Sequence, residues 1–360
     1  MFHIQNVQKI LKEHQLSALI VDNPIDLYYL TGKDFSLGRL IIEEHQATLF
    51  VDGRYYESAC ALSALTVLLT SGYGEKSAFF HWWSLFGKRV GFDTDYTTYA
   101  AFEGMQPLGA EWIALKSPLK KLREIKDSSE IESLRRAADL GSKGFDFVCS
   151  LLKVGVSEQE IARELKIFWL KAGADKLSFE PHIAFGEGAS QPHYHPGARR
   201  LKEGDCVLID IGVVWEHYHS DMTRVVAFGN PSEEMQKIYE VVYAAYCEAV
   251  ALCKPGEKIL TIDQAARGWI DKKGYGKYFT HSLGHGVGLE IHELPRVSSL
   301  ASFDNYSLQE GMVLTIEPGI YLPGIGGVRL EDTLVITTTG CENLTKRPIP
   351  TKLPIIDVDI

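Results

Sequence analysis

The sequence predicts a mixed α/β (α+β) chain in two domains, a small one over residues 1–122 and a larger one over 123–360. Three observations carry that expectation. At 360 residues the chain exceeds one ordinary small domain. Short strand-like runs and helical stripes alternate through about the first 115 residues. A basic, proline-containing stretch at 116–127 then precedes long helices and a strand-rich remainder, which places the domain boundary near 120–127.

The elements follow in order. Ile4, Val7, Ile10 and Leu11 fall on one helical stripe. SALIVDN, LGRLIIEE, QATLFVDG and KRVGFD (88–93) read as strands bounded by turn residues. KKLREIK at 120–126 reads as a solvated linker. Asp127 and Glu130 form a capping box opening a helix on Ile131, Leu134, Ala138 and Phe145, ended by Gly155. Ser157 and Glu160 open the next helix the same way, and a third helix is expected near 232–253. The rest is strands carrying acidic motifs, with no repeat period and no low-complexity tract.

Composition narrows the function classes. Hydrophobic residues make up 45% and charged residues 23%, ordinary for a soluble globular chain. A net charge of −10 and a pI near 5.7 argue against nucleic acid as a partner, because phosphate binding needs a basic surface. No run of 18 apolar residues is present, so no membrane partner is expected. MFHIQNVQKILKEHQ has no signal-peptide apolar core. The six cysteines (Cys60, Cys149, Cys206, Cys247, Cys253, Cys341) form no CxxC and no dense framework, so reduced, mostly buried thiols in a cytoplasmic protein are expected.

Five metal-type side chains stand in distinctive local strings: Asp210 in VLIDIG, Asp221 in HSDMTR, His285 in GHGVGLEIHE, Glu317 in TIEPGIY and Glu331 in GVRLEDT. Four carboxylates and one imidazole suit two hard or borderline divalent cations, whose charge the carboxylates would neutralise. VLIDIGVVWEHYHSDMTRVVAFG reads as a hairpin turning at Trp215-Glu216, which sets Asp210 directly opposite Asp221 with Cβ atoms about 4.5–5.5 Å apart. Bare carboxylates at that spacing repel unless a cation lies between them. Glu317 ends MVLTIE where Pro318-Gly319 breaks the strand. In VRLEDTLVI, period-2 alternation puts Arg329 on the face of Glu331 and Asp332 on the other. His285 falls in a glycine-bracketed turn whose small neighbours would admit a metal.

Each motif alone also has a plainer reading. Asp210 and Asp221 read as a solvated edge pair, GHGVG as a degenerate dinucleotide loop and Arg329–Glu331 as a structural ion pair. His281 and His292 singly read as ordinary polar histidines. HExxH, Walker A and GxSxG are all absent. What favours a metal centre is the occurrence of all five motifs together and in order.

That ordered set resembles the pita-bread metallopeptidases, the family of methionine aminopeptidase, aminopeptidase P and prolidase, over roughly residues 125–345. GVRLED, TIEPGIY and LREIKDSSEIESLRRA are similar to the Xaa-Pro branch, and YLTG at 29–32 to the creatinase/prolidase N-terminal domain. The resemblance implies a pita-bread catalytic domain behind a creatinase/prolidase-like one. It implies that Asp210, Asp221, His285, Glu317 and Glu331 hold two divalent cations, Asp221 and Glu331 bridging them. His193 (QPHYHPG), His281, His292 and Arg329 match the family's surrounding residues, and no ligand position departs from its pattern.

The implied reaction is hydrolysis of a peptide bond to proline, with cations activating water and polarising the carbonyl. His292 and His193 would stabilise the oxyanion, His281 would line the proline pocket or hold the product carboxylate, and Glu317 would carry a proton to the leaving nitrogen. The donor set points to Mn²⁺, with Co²⁺, Fe²⁺ or Zn²⁺ as alternatives. The leading sequence reading is an Xaa-Pro aminopeptidase acting on proline-containing peptides of any length, with strict Xaa-Pro dipeptidase (prolidase) as the alternative. More remote are a non-catalytic binding protein and a metal-free creatinase-type amidinohydrolase. A homodimer is implied by the resemblance alone.

Overall fold

The computed structural model describes residues 3–62, 65–70, 85–299 and 306–358. The chain divides into two compact units, Met1–Arg123 and Glu124–Ile360.

In the first unit one mixed sheet has the order β4-β3-β2-β1-β5-β6. Its strands are β1 (Ala18–Val21), β2 (Arg39–Glu43), β3 (Ala47–Val51), β4 (Thr66–Leu69), β5 (Arg89–Asp93) and β6 (Glu111–Leu115). Strands β1 and β3 are buried at every position, as the apolar run ALIV of β1 requires and as the mostly apolar β3, with Thr48 as its one polar residue, allows. Helix α1 (Ile4–Glu13) buries Val7, Ile10 and Leu11 of its apolar stripe. Helix α2 (Pro24–Thr31) starts where the Asn23 side chain accepts from the Ile25 amide, and ends at Gly32 in the left-handed region. Short helices α3 (Tyr56–Cys60), α4 (Tyr99–Met105) and α5 (Lys120–Arg123), with a 3₁₀ turn at Gln106–Leu108, complete the regular structure of this unit among the described residues.

The basic stretch 120–126 is not the solvated linker expected from its composition. Arg123 is 1% exposed and its Nη1 lies 2.6 Å from Asp26 Oδ1. Lys126, also buried, donates to Glu293 Oε2 at 3.0 Å within the second unit. These charges are buried because each meets a carboxylate, 97 and 167 residues away in sequence.

The second unit opens with α6 (Ser128–Leu151) and α7 (Glu158–Lys171), each begun by the expected capping box, Asp127–Glu130 and Ser157–Glu160. At Gly144 an added Cβ would lie 2.6 Å from the Trp169 ring, so only glycine lets the two helices meet this closely. A four-stranded sheet follows, ordered β20-β12-β9-β8, from β8 (His182–Phe185), β9 (Cys206–Ile211), β12 (Met222–Phe228) and β20 (Ile355–Ile356). Period-2 alternation sends Val207, Ile209, Val226 and Phe228 into a core with α6 and α7. The intervening Leu208, Val225 and Ala227 enter a second core with α8 (Glu233–Ala251) and α9 (Ile259–Lys272). The expected third helix is α8. Helix α9 escapes sequence reading because Lys258 gives it no side-chain cap and Gly268 interrupts its pattern.

Three further sheets complete the unit. One is β11-β10-β7, made of β7 (Lys176–Leu177), β10 (Val213–Trp215) and β11 (Tyr218–His219). A second is β14-β13-β15-β18-β19, made of β13 (Gly284–Gly286), β14 (Glu293–Val297), β15 (Val313–Ile316), β18 (Asp332–Ile336) and β19 (Cys341–Asn343). The third pairs β16 (Gly319–Leu322) with β17 (Gly326–Arg329).

The 207–228 hairpin forms, but two residues out of the expected register. Trp215 pairs with Tyr218 and Asp210 with Thr223, so the turn is Glu216-His217 and not Trp215-Glu216. Both turn residues take left-handed φ, +48° and +70°, as a tight two-residue hairpin turn demands. A two-residue slip keeps side-chain parity, so Asp221 stays on the Asp210 face as a diagonal neighbour. All six cysteines are free, but only Cys206 and Cys253 are buried; Cys60 and Cys247 are exposed.

Candidate metal centre

Four chain segments converge on one buried acidic patch. Asp210 is the penultimate residue of β9, and Asp221 lies one residue before β12. His285 is the middle residue of β13, a strand and not the expected turn. Its flanking glycines serve the sheet rather than a metal. A Cβ on Gly284 would lie 2.0 Å from the Thr315 carbonyl oxygen, and one on Gly286 2.0 Å from that of Leu294. Glu317 follows β15 at the Pro318 break, as expected. Leu330 and Glu331 form the step between β17 and β18, so VRLEDTLVI is two strands and not one. That step still turns Glu331 and Asp332 to opposite sides.

The ligand atoms of Asp221, His285 and Glu331 all lie within 4.8 Å of one another. His285 Nε2 is 3.6 Å from Asp221 Oδ2 and 3.6 Å from Glu317 Oε1. The other ring nitrogen, Nδ1, donates to the Gly286 carbonyl at 3.0 Å, so the neutral ring turns a lone pair towards two carboxylates. Burial, then the neighbouring His292, lowers His285 to about 4, which keeps it neutral. Acceptor therefore faces acceptor.

The carboxylates themselves are crowded. Burial, then the charges of Glu331, Asp210 and Glu317, pushes Asp221 well above the usual carboxylate range. Burial and Glu331 do the same to Glu317. Burial and Asp210 raise Glu331 to about 8. Hard oxygen donors plus one imidazole lone pair, with too little positive charge among them, fit divalent cations.

Asp210 differs. Burial also works to raise it, but Arg329 and His182 together hold it below its ordinary value. Arg329 Nη2 donates to Asp210 Oδ2, and His182 Nδ1 lies 3.1 Å from the same oxygen. Arg329 further donates from Nη1 to the Tyr321 hydroxyl at 2.7 Å and from Nε to Thr223 Oγ1 at 3.1 Å. The Thr223 hydroxyl in turn donates to Glu331 Oε2 at 2.6 Å. One guanidinium thus orients Asp210 directly and Glu331 through the Thr223 hydroxyl.

The other anticipated histidines also gather here. His292 meets His285 edge-to-face with ring centroids 4.3 Å apart. His281 Nδ1 donates to the Ser282 carbonyl at 2.8 Å, so its Nε2 accepts from the Tyr321 hydroxyl at 2.9 Å. With both nitrogens engaged inside the protein, His281 has no free donor for a product carboxylate in this arrangement. His193 is exposed and lies 6.0 Å from His182 between ring centroids.

Sequence reasoning missed His182, Thr223, Tyr321 and Glu158. Thr223 was within reach, standing two residues beyond Asp221 on a strand. Tyr321 and His182 act through pairings that no local pattern announces. Glu158, fully buried, accepts from the Phe185 and Gly197 amides at 2.8 and 2.9 Å and from the Tyr194 hydroxyl at 2.8 Å, tying down the loop that carries His193.

Comparison with known proteins bears on the whole chain. Residues 132–338 match the model of metallopeptidase family M24, and residues 3–125 match the Creatinase/Prolidase N-terminal domain. The Xaa-Pro dipeptidase of Pyrococcus furiosus is 36% identical over 344 residues, 95% of this chain and 97% of that one. The structure of an Xaa-Pro dipeptidase from Bacillus anthracis superposes with a TM-score of 0.92 at 34% identity, covering 98% of this chain and 99% of that one. An X-Pro aminopeptidase from Thermotoga maritima superposes at 0.86 and 30% identity, covering 96% and 98%. Among the described residues no helix is long and apolar enough to cross a membrane. Fold, domain order and the chemistry of the buried donors agree: the chain belongs to metallopeptidase family M24 and is a metal-dependent hydrolase.

Proposed function

We propose that the chain is an Xaa-Pro dipeptidase, cleaving dipeptides whose second residue is proline. The observation that carries this reading is the near full-length correspondence, through both domains, with Xaa-Pro dipeptidases. It replaces the aminopeptidase preference drawn from sequence alone. The likeness to the Thermotoga X-Pro aminopeptidase keeps action on longer peptides as the second reading.

In this reading Asp210, Asp221, His285, Glu317 and Glu331 hold two divalent cations, Mn²⁺ by the hardness of the donors. Bound there, the cations would supply Lewis acidity and lower the pKa of a water molecule towards neutrality. The chain's own residues do the rest. Arg329, with Thr223 and Tyr321, fixes the orientation of Asp210 and Glu331. His292, held neutral by burial and then by His193, offers a ring N–H to a developing oxyanion. Glu317, a carboxylate 3.6 Å from His285 Nε2, would serve as the general base that passes the proton of the attacking water to the leaving nitrogen. His281 positions Tyr321 and, through it, Arg329. Free cysteines suit a cytoplasmic setting, and a homodimer, implied by the family resemblance alone, completes the proposal.

The test is hydrolysis of Ala-Pro, Ala-Pro-Ala-Ala and Ala-Ala by protein stripped of metal and reloaded with Mn²⁺. Cleavage of Ala-Pro alone, dependent on Mn²⁺, is the expected result. Equal or faster cleavage of the tetrapeptide selects the aminopeptidase reading, and full activity of the stripped protein rejects both.

A further inference from the structure

We propose that His182 is a positioning residue of the metal centre, donating from Nδ1 to Asp210 so that this carboxylate is held in one rotation. The proposal rests on the metal-dependent reading above and adds a residue to it. Strands β8 and β9 pair with His182 directly opposite Asp210, which sends both side chains to the same face. Nδ1 stands 3.1 Å from Oδ2, and an ionised carboxylate only accepts, so the imidazole is the donor and the Nδ1–H tautomer is fixed.

Arg329 alone would leave the carboxylate plane free to swing, because its Nη2 reaches only Oδ2. His182 donates to that same oxygen from a different strand. Two donors from β8 and β17 on one oxygen remove the swing, and no donor contacts Oδ1 among the described residues. The ring is itself braced: Phe179, His193 and His195 lie at centroid distances of 5.7, 6.0 and 6.3 Å. His182 thereby links Asp210 to the loop that carries His193.

Two substitutions separate the donor from the ring. In His182→Asn the amide nitrogen sits where Nδ1 sits, keeping the donor without the imidazole. His182→Leu removes the donor and keeps bulk. Mn²⁺ affinity of the stripped proteins is measured by calorimetry, beside kcat and KM for Ala-Pro at saturating Mn²⁺. The expected result is a loss of about 10- to 100-fold in Mn²⁺ affinity for His182→Leu, with kcat reduced and KM unchanged, and wild-type behaviour for His182→Asn. Wild-type affinity in His182→Leu overturns the proposal, as does an equal loss in both variants, which would assign the effect to ring packing. Independently of whether either variant folds, ¹⁵N shifts of His182 in loaded wild-type protein must show a protonated Nδ1; a protonated Nε2 overturns it. Wild-type protein that binds no divalent cation overturns the underlying reading, and the proposal with it.

Discussion

Glu331 and Asp332 are neighbours in sequence, 2% and 1% exposed, and the chain treats them in opposite ways. Behind the site, Asp332 receives Arg224 Nη2 at 2.6 Å on one oxygen and the Tyr246 hydroxyl at 2.6 Å on the other. Arg224 also donates to the backbone carbonyls of Thr223, Glu331 and Arg347, so the rear carboxylate, engaged at both oxygens, is the centre of a knot. In front, Glu331 has the Thr223 hydroxyl as a donor, and burial with the charge of Asp210 outweighs the help of Arg329 and raises it to about 8. A buried carboxylate that the protein satisfies belongs to the scaffold. One that it leaves short of positive charge has its partner supplied from outside.

The largest effect that could break this comparison is metal removal. Stripping the protein should cost at least about 10⁴-fold in Xaa-Pro hydrolysis, the activated water being lost. Readdition of Mn²⁺ should restore activity and raise the melting temperature, because a cation held at 100 times its dissociation constant stabilises the native state by about 2.7 kcal/mol. Calorimetric scans with and without Mn²⁺ check this, and identical melting curves would show that the front carboxylates need no external partner.

Next come paired substitutions of opposite sign. Asp221→Asn in front should lower kcat by about 10³-fold, roughly 4 kcal/mol of barrier, while making the stripped protein more resistant to urea, since one repelling charge is gone. Asp332→Asn behind should do the reverse to stability. It leaves Arg224 buried with half its partner, at a cost of about 3 kcal/mol in urea unfolding. If both variants shift the urea midpoint the same way, the division into scaffold and site is wrong.

How much of this could be read from sequence follows the same division. The five candidate ligands were legible because each sits in a local string whose residues act on their near neighbours. Both capping boxes were legible for the same reason: Asp127 and Ser157 find their partners three residues on. The hairpin register was not, because Glu216 and His217 adopt left-handed φ without the glycine or asparagine that signals it. Arg123 and Lys126 looked solvated because their carboxylates come from distant chain, and His182 was silent because its meaning lies in a pairing with Asp210 across a sheet. Local rules reveal which groups carry chemistry; the groups that aim them are set by tertiary pairing.

The smallest effect, and the sharpest, is expected at Thr223, which belongs to both sides. Its carbonyl accepts from the Glu331 amide at 3.1 Å and from Arg224, tying it to the rear knot. Its hydroxyl accepts from Arg329 and donates to Glu331 in front. Thr223→Val keeps the shape and the backbone bonds and deletes only the front pair, leaving the buried Arg329 Nε without that acceptor. Stability should fall by about 1–2 kcal/mol, and kcat by about tenfold, as a misaimed Glu331 would give. Thr223→Ser, which keeps the hydroxyl, should recover kcat. Recovery of stability without kcat would mean that the hydroxyl matters for packing alone, and that the line between scaffold and site falls in front of Thr223 rather than through it.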